Sequence, residues 1–246
     1  MQKSLAEIAK GFDTDKAQSL SYINNFERHF GPLRNKQVKI LELGVFHGGS
    51  LLMWHEYFSQ GLVVGLDLKP NPITEMPERM RFYQGSQDDT ALLDRMAFEC
   101  APDGFDIVID DASHIGKLAR SSFCTLFQRH LKPGGIYVVE DWGTGYWNSW
   151  ADGKSYQSPN DECMKARELS FLEWVSRKLR WVHQRETDPN FSAHNFGMVG
   201  FVKELVDEVA WADITASNRG NSELRPRVST ISEMTLYSGH AFIIKA

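Results

Sequence analysis

The stretch VKILELGVFHGGS, residues 38–50, joins a run of β-forming residues to three closely spaced glycines. The run predicts a strand, and Gly44, Gly48 and Gly49 predict a tight turn into a following helix. The same strand-like composition recurs in four further runs, at residues 62–68, 80–86, 105–111 and 135–141.

Helical spacing separates these strands in SLLMWHEYF (50–58), TALLDRMAFE (90–99) and LARSSFCTLFQRHL (118–131), and LKPGG (131–135) reads as a turn before the fifth strand. Such alternation predicts βαβ units and a mostly parallel sheet. At the end of the chain, ISEMTLY and HAFIIKA flank Ser238 and Gly239, which predicts a tight hairpin. The expected fold is a doubly wound, Rossmann-like α/β sheet of seven strands that closes with an antiparallel hairpin. It occupies residues 36–246, after an N-terminal helical segment at 1–35.

Composition narrows the function classes. The 246 residues are 42% hydrophobic and 24% charged with a net charge of −5, which is typical of a globular protein and disfavours nucleic acid as a partner. Three dispersed cysteines, Cys100, Cys124 and Cys163, indicate reduced thiols. No signal-like or membrane-length apolar run is present, so we expect a cytoplasmic protein without a membrane partner. Whether it forms a homo-oligomer stays open.

A ligand crevice is expected at the carboxyl ends of the strands. The Glu42–Ser50 loop has no GxGxxG spacing, which disfavours a nicotinamide oxidoreductase. Asp67 ends the second strand, where an acid can bind a ribose diol, and Gly85–Asp88 would lie beside a purine. Each feature has a simpler reading, since glycines can merely form a turn and Asp67 can cap a helix.

In combination, these motifs resemble those of class I S-adenosylmethionine-dependent methyltransferases. The resemblance implies S-adenosylmethionine as the cofactor and a sheet with one antiparallel strand in its C-terminal hairpin. The cofactor-binding residues that we predict are Glu42, Gly44, Gly48, Ser50, Asp67, Gln87 and Asp110.

A second group of residues is acidic. FDIVIDDASH (105–114) and VVEDW (138–142) end neighbouring strands, so Asp111, Glu140 and Asp141 can converge. Strand alternation keeps Asp110 and Asp111 from pointing the same way. Oxygen-only ligands favour Mg²⁺, or another hard divalent cation such as Mn²⁺ or Ca²⁺, whose charge would offset the carboxylate repulsion. A hydrogen-bonded network without metal is the alternative.

His114 supplies a group that can take a proton from a hydroxyl near neutral pH. It could instead cap the next helix, pack, or act as a fourth ligand.

DDASH followed by LKPGGIYVVEDW is similar to the metal-dependent sugar O-methyltransferases of macrolide biosynthesis and to the related cephalosporin-hydroxylase-like group. The resemblance implies that Asp111, Glu140 and Asp141 hold Mg²⁺ and that His114 acts as base, with Asp111 part of the catalytic centre. FDTDKAQSLSY resembles the substrate-side segment of that family, at Asp15, Lys16 and Tyr22.

Residues 142–160 place five aromatic rings among glycines and polar residues, which predicts an irregular, lid-like loop, or else a loop fastened to its own body. We expect an S-adenosylmethionine-dependent O-methyltransferase that acts on a small diol-bearing acceptor, either a sugar or a natural-product glycoside. The alternatives are a metal-free small-molecule methyltransferase and a non-catalytic S-adenosylmethionine-binding protein.

Overall fold

Seven strands form the central sheet of the computed structural model, which describes residues 2–155, 194–216 and 227–246. In chain order they are β1 (Lys39–Leu43), β2 (Leu62–Asp67), β3 (Met80–Gln84), β4 (Phe105–Asp110), β5 (Leu131–Glu140), β6 (Ile231–Leu236) and β7 (His240–Lys245). Their order across the sheet is β3-β2-β1-β4-β5-β7-β6.

Only β7 runs against its neighbours among the described strands. It pairs antiparallel with β5 and with β6, whereas β1 to β5 pair in parallel. Ser238 and Gly239 form the turn between β6 and β7, and Tyr237 and His240 exchange backbone hydrogen bonds across it. The predicted doubly wound sheet with a C-terminal hairpin is confirmed.

The LKPGG segment differs from the prediction. Strand β5 already begins at Leu131, which pairs with Phe105, and pairing resumes only at Ile136 opposite Ile107. The predicted turn is therefore an interruption inside the strand, where Gly134 takes the left-handed backbone conformation with φ +74°.

Helices cover both faces of the sheet. They are α1 (Leu5–Ala9), α2 (Leu20–Phe30), α3 (Gly49–Tyr57), α4 (Thr90–Cys100), α5 (Gly116–Arg129), α6 (Gly197–Val209) and α7 (Trp211–Ile214). Leu93 and Phe127 belong to one buried core, with α4, α5 and α6. Phe26 and Trp54 belong to the other, in which α1 and α2 pack with α3 against the sheet. Both α1 and α2 lie before residue 36. The division of the chain at residue 35 and the substrate-side role of the first segment stay predictions.

Cys100 and Cys124 are not bonded to each other or to another described cysteine, and Cys163 lies outside the described residues. That all three thiols are reduced stays a prediction. Across the described ranges, no helix combines the length and apolar character that spanning a membrane requires.

Candidate active site

The glycine loop lies where the strand order reverses, between β1 and β4, which is the ligand-binding position of open α/β sheets. Gly44 and Gly48 have φ +87° and +84°. A Cβ atom on Gly44 would collide with the backbone of Asp111, and one on Gly49 with the backbone of Asp13. These glycines are therefore required because the loop is wedged between the end of β4 and the N-terminal segment.

Asp67 fixes the shape of this loop. Its Oδ2 accepts hydrogen bonds from the backbone N–H groups of Val45 (2.8 Å) and Phe46 (3.0 Å), and its Oδ1 accepts one from Lys69 (2.8 Å). Burial opposes ionisation of Asp67, but these three donors lower the pKa of its carboxyl. A carboxylate accepts about four hydrogen bonds, so room for a ribose hydroxyl remains.

A cavity of about 120 Å³ adjoins the loop, between the ends of β2, β3 and β4. Gln87 lines it, although its Oε1 accepts from the backbone N–H of Ser113 (3.0 Å) and its Nε2 donates to Asp110 (3.0 Å). Asp110 is buried behind this wall and also accepts from Ser122 Oγ (2.8 Å). The structure thus brings Gln87 to the cavity and places Asp110 in the core beneath it, where burial raises the pKa of Asp110.

The acidic residues surround a buried lysine. Lys16, whose side chain is 2% exposed, places its Nζ 2.5 Å from Asp111 Oδ2, 2.9 Å from Glu140 Oε1 and 3.4 Å from Glu42 Oε1. Glu42 also accepts a hydrogen bond from Ser50 Oγ (2.8 Å), so these two predicted cofactor ligands contact each other. Within the described residues, the positive charge that offsets the acids is therefore the ammonium of Lys16.

Three carboxylates share this one ammonium, and their pKa values separate accordingly. Burial and the repulsion from Glu140 raise the pKa of Asp111 well above its usual range, and burial raises that of Glu42. Burial acts in the same direction on Glu140, but the attraction of Lys16 prevails and lowers its pKa. Burial disfavours a charged Lys16, yet the three acids raise its pKa well above the ordinary value, so the lysine stays protonated.

Asp111 also belongs to an outer group with His114 and Asp141. His114 Nε2 lies 3.8 Å from Asp111 Oδ1, and Asp141 Oδ1 accepts a hydrogen bond from the hydroxyl of Tyr22 at 2.9 Å. His114 and Asp141 both have φ +50°, a conformation that residues other than glycine rarely adopt. Backbone strain of this kind is concentrated at functional sites.

The predicted metal ligands thus divide into two overlapping sets. Ligand atoms of Glu42, Asp111 and Glu140 lie within 4.8 Å of one another, and so do those of Asp111, His114 and Asp141. Both sets are rich in carboxylate oxygen, and the Nδ1 atom of His114 is buried without a hydrogen-bond partner in the described part of the chain. The donor chemistry fits a hard divalent cation, and Asp111 is common to both sets.

The aromatic-rich segment 142–160 forms hydrogen bonds to the backbone of His114. Residues 142–146 and 152–155 form 3-10 helices, where the sequence predicted an irregular loop, and residues 156–160 lie outside the described residues. Trp150 Nε1 and Thr144 Oγ1 donate to the carbonyl of His114 at 3.1 and 3.4 Å. Asp152 accepts from the backbone N–H of Gly116 at 2.6 Å. The described part of the segment is fastened to the body, and its role as a lid stays a prediction.

A cleft of about 420 Å³ connects these parts. Its walls include Gly44 and Ser50 of the glycine loop, Asp67, Asp111 and His114. A second cleft, of about 210 Å³, reaches Lys16, Glu140 and Asp141 from the N-terminal segment. Three predicted residues lie outside the lining of these clefts and of the cavity: Glu42 and Asp110 are buried beneath it, and Gly48 belongs to the turn beside it. The other predicted cofactor and acidic residues line one edge of the sheet.

Sequence reasoning missed two contributors to this site. His240 is buried with its Nε2 3.5 Å from Glu140 Oε2, and the antiparallel pairing of β5 with β7 places the two residues opposite each other. The sequence predicted the hairpin that carries His240 but not this pairing. Asp152, only 6% exposed, holds the start of α5, and no sequence spacing relates it to His114.

Curated relatives of the chain are named as O-methyltransferases. Mycinamicin VI 2''-O-methyltransferase of Micromonospora griseorubida is 41% identical over 198 residues, which are 76% of this chain and 47% of the relative. The 8-demethyl-8-alpha-L-rhamnosyl tetracenomycin-C 2'-O-methyltransferase of Streptomyces olivaceus is 41% identical over 248 residues, 98% of this chain and 54% of the relative. The chain spans about half the length of the curated relatives it matches. No protein-family model matches it.

Solved structures similar to this chain are also of a methyltransferase. A crystal structure of the MycE methyltransferase of the mycinamycin biosynthetic pathway, in complex with Mg and SAH, matches all of this chain and 54% of its own, with a TM-score of 0.72 and 30% identity. A further complex, with Mg, SAH and mycinamycin VI, has a TM-score of 0.68 and 31% identity over 99% of this chain and 55% of its own. The chain therefore has the class I S-adenosylmethionine-dependent methyltransferase fold. Within that class, it is a homologue of the macrolide and polyketide sugar O-methyltransferases, and the predicted resemblance is confirmed.

Proposed function

We propose that the protein transfers a methyl group from S-adenosylmethionine to a hydroxyl of a sugar or natural-product glycoside. The observation that carries the proposal is that Asp111 and His114 line the same cleft of about 420 Å³ as the glycine loop and Asp67. The name of the Streptomyces olivaceus relative, which specifies the 2'-oxygen of a rhamnosyl tetracenomycin, supports this class of acceptor.

The cofactor would lie across the glycine loop. The first turn of α3 has no side-chain cap, so its free N–H groups can bind the carboxylate of the amino-acid moiety. Asp67 would accept a hydrogen bond from the ribose, and the cavity beside Gln87 would take the adenine. Glu42 and Ser50 would support this binding surface from below, through their mutual hydrogen bond.

The acceptor hydroxyl would lose its proton to His114, at the Nε2 atom that faces Asp111. The acceptor oxygen then forms a bond to the methyl carbon as the sulfonium–carbon bond breaks. Asp111, Glu140 and Asp141 would hold Mg²⁺, which when bound lowers the pKa of an acceptor hydroxyl and orients its neighbour. The contacts from Thr144 and Trp150 keep His114 in place during this transfer.

One test is methyl transfer from radiolabelled S-adenosylmethionine to a panel of macrolide and polyketide glycosides, with the product mass measured. We expect a gain of one methyl group, and we expect SAH to bind with or without acceptor. A protein that binds neither S-adenosylmethionine nor SAH would contradict the proposal, whereas binding without transfer to any glycoside would favour the non-catalytic alternative.

A metal-free methyltransferase is the second candidate, and Lys16 is the observation that favours it, because its ammonium already faces Asp111, Glu140 and Glu42. Turnover that survives dialysis against EDTA would support this candidate. A cytoplasmic location, the lack of nucleic-acid or membrane partners, and any homo-oligomer stay predictions from the sequence.

A further inference from the structure

Lys16 forms ion pairs with the carboxylate oxygens to which a metal ion would bind. Its Nζ lies 2.5 Å from Asp111 Oδ2 and 2.9 Å from Glu140 Oε1, and both residues are among the proposed metal ligands. The lysine is 2% exposed, so this is an enclosed contact and not a surface ion pair. A third carboxylate oxygen, Glu42 Oε1, lies 3.4 Å from Lys16 Nζ.

A divalent cation and this ammonium cannot share these oxygens at low cost. Mg²⁺ binds carboxylate oxygen at about 2.0–2.1 Å, so an ion on Asp111 and Glu140 would lie within a few ångströms of Lys16 Nζ. Two positive groups at that separation repel strongly in a buried site. We infer that Lys16 competes with the divalent cation for Asp111 and Glu140, so that metal binding expels Lys16 from the acidic cluster. This inference rests on the metal site of the proposed function.

The exchange would move the N-terminal segment. Lys16 lies in the 3-10 helix Asp15–Gln18, and Asp15 lines both the larger and the smaller cleft. Tyr22, at the start of α2, donates to Asp141, which is another proposed ligand. Residues 13–22 therefore contact the proposed metal ligands twice, through Lys16 at Asp111 and through Tyr22 at Asp141. Metal binding that displaces Lys16 would consequently change the shape of both clefts.

Metal affinity of a matched pair of variants tests this. Lys16→Met keeps an unbranched side chain, one atom shorter, and removes the charge. Lys10→Met makes the same change at an exposed position of the N-terminal segment 1–35. We expect Lys16→Met to bind Mg²⁺ at least tenfold more tightly than the wild type in calorimetric titrations with MgCl₂. The control should bind as the wild type does. In the wild type, saturating MgCl₂ should speed amide hydrogen exchange of residues 13–22.

Three results would overturn the inference, and they separate it from the proposed function. Mg²⁺ affinity that is equal or weaker in Lys16→Met would show that the lysine does not compete, while the metal site stands. If Lys16→Met does not fold, exchange of residues 13–22 that is unchanged by Mg²⁺ in the wild type is decisive against it. Absence of Mg²⁺ binding in every protein, with SAH present, would remove both the metal site and the inference but leave cofactor binding intact.

Discussion

Replacing Asp152 with alanine should destabilise the fold strongly. The carboxylate is buried, and its Oδ2 accepts hydrogen bonds from the backbone N–H groups of Gly116 (2.6 Å) and Met198 (2.9 Å). These groups lie in the first turns of α5 and α6, where N–H groups have no partner within the helix. A hydrogen bond to a charged group contributes about 1.5–3 kcal/mol, so losing both should cost about 3–6 kcal/mol.

Urea unfolding followed by tryptophan fluorescence measures this loss as a change in the free energy of unfolding. Asp152→Asn keeps an acceptor oxygen, so it should cost less than half as much as Asp152→Ala. Asp207→Ala, at an exposed position of α6, is the control and should stay within about 0.5 kcal/mol of the wild type. A loss below about 1 kcal/mol for Asp152→Ala would refute the reasoning, because two buried donors without acceptors cannot cost so little.

Three further predictions follow from other contacts. His114→Ala should lower turnover by about 10²–10⁴-fold and leave SAH affinity unchanged in calorimetry; equal losses in both would exclude its role as base. Gly49→Ala should destabilise the protein by about 1–3 kcal/mol in urea unfolding, because its Cβ would collide with the backbone of Asp13; an unchanged midpoint would contradict that contact. Arg227 lowers the pKa of Glu208 from 4.5 to about 2. The stability difference between wild type and Glu208→Gln should therefore be complete above pH 4.5 and shrink as pH falls toward 2; a difference that grows toward acid would reverse the assigned sign.

Gly143→Ala is a suitable control for the Gly49 prediction. Among the described residues, and leaving aside Gly143 and its two chain neighbours, no heavy atom lies within 4 Å of the position that a Cβ on Gly143 would take. Its replacement should therefore change the free energy of unfolding much less than the replacement of Gly49 does.

The sheet was predictable because neighbouring residues in the sequence specify each strand and each turn. Each β-forming run ends at turn residues, and Ser238 with Gly239 marks the hairpin. Strand alternation also separated Asp110 from Asp111 correctly. Asp110 lies with Ser122 in the core, whereas Asp111 contacts Lys16 on the other side.

The partner of the acids was not predictable in the same way. Lys16 is 95 residues from Asp111 in the chain, and only the packing of α1 and α2 against the sheet brings the two together. The sequence analysis assigned the positive charge that offsets these acids to a divalent cation, whereas in the structure the ammonium of Lys16 lies beside them. Asp152 is similar, because its partners at Gly116 and Met198 come from two separate helices.

The strained backbone at the site shows where its geometry is controlled. His114 and Asp141 follow β4 and β5 closely, and each is held at φ +50°, a conformation that costs about 1–3 kcal/mol per residue. The strands cannot impose this conformation, since regular strand pairing ends at Asp110 and Glu140. Thr144 and Trp150 hold the carbonyl of His114, and Tyr22 holds the side chain of Asp141. The position of His114, the proposed base, thus depends on the segment after β5. The position of Asp141, a proposed metal ligand, depends on the N-terminal segment. Changes in either segment should therefore alter turnover without contact with the reacting atoms.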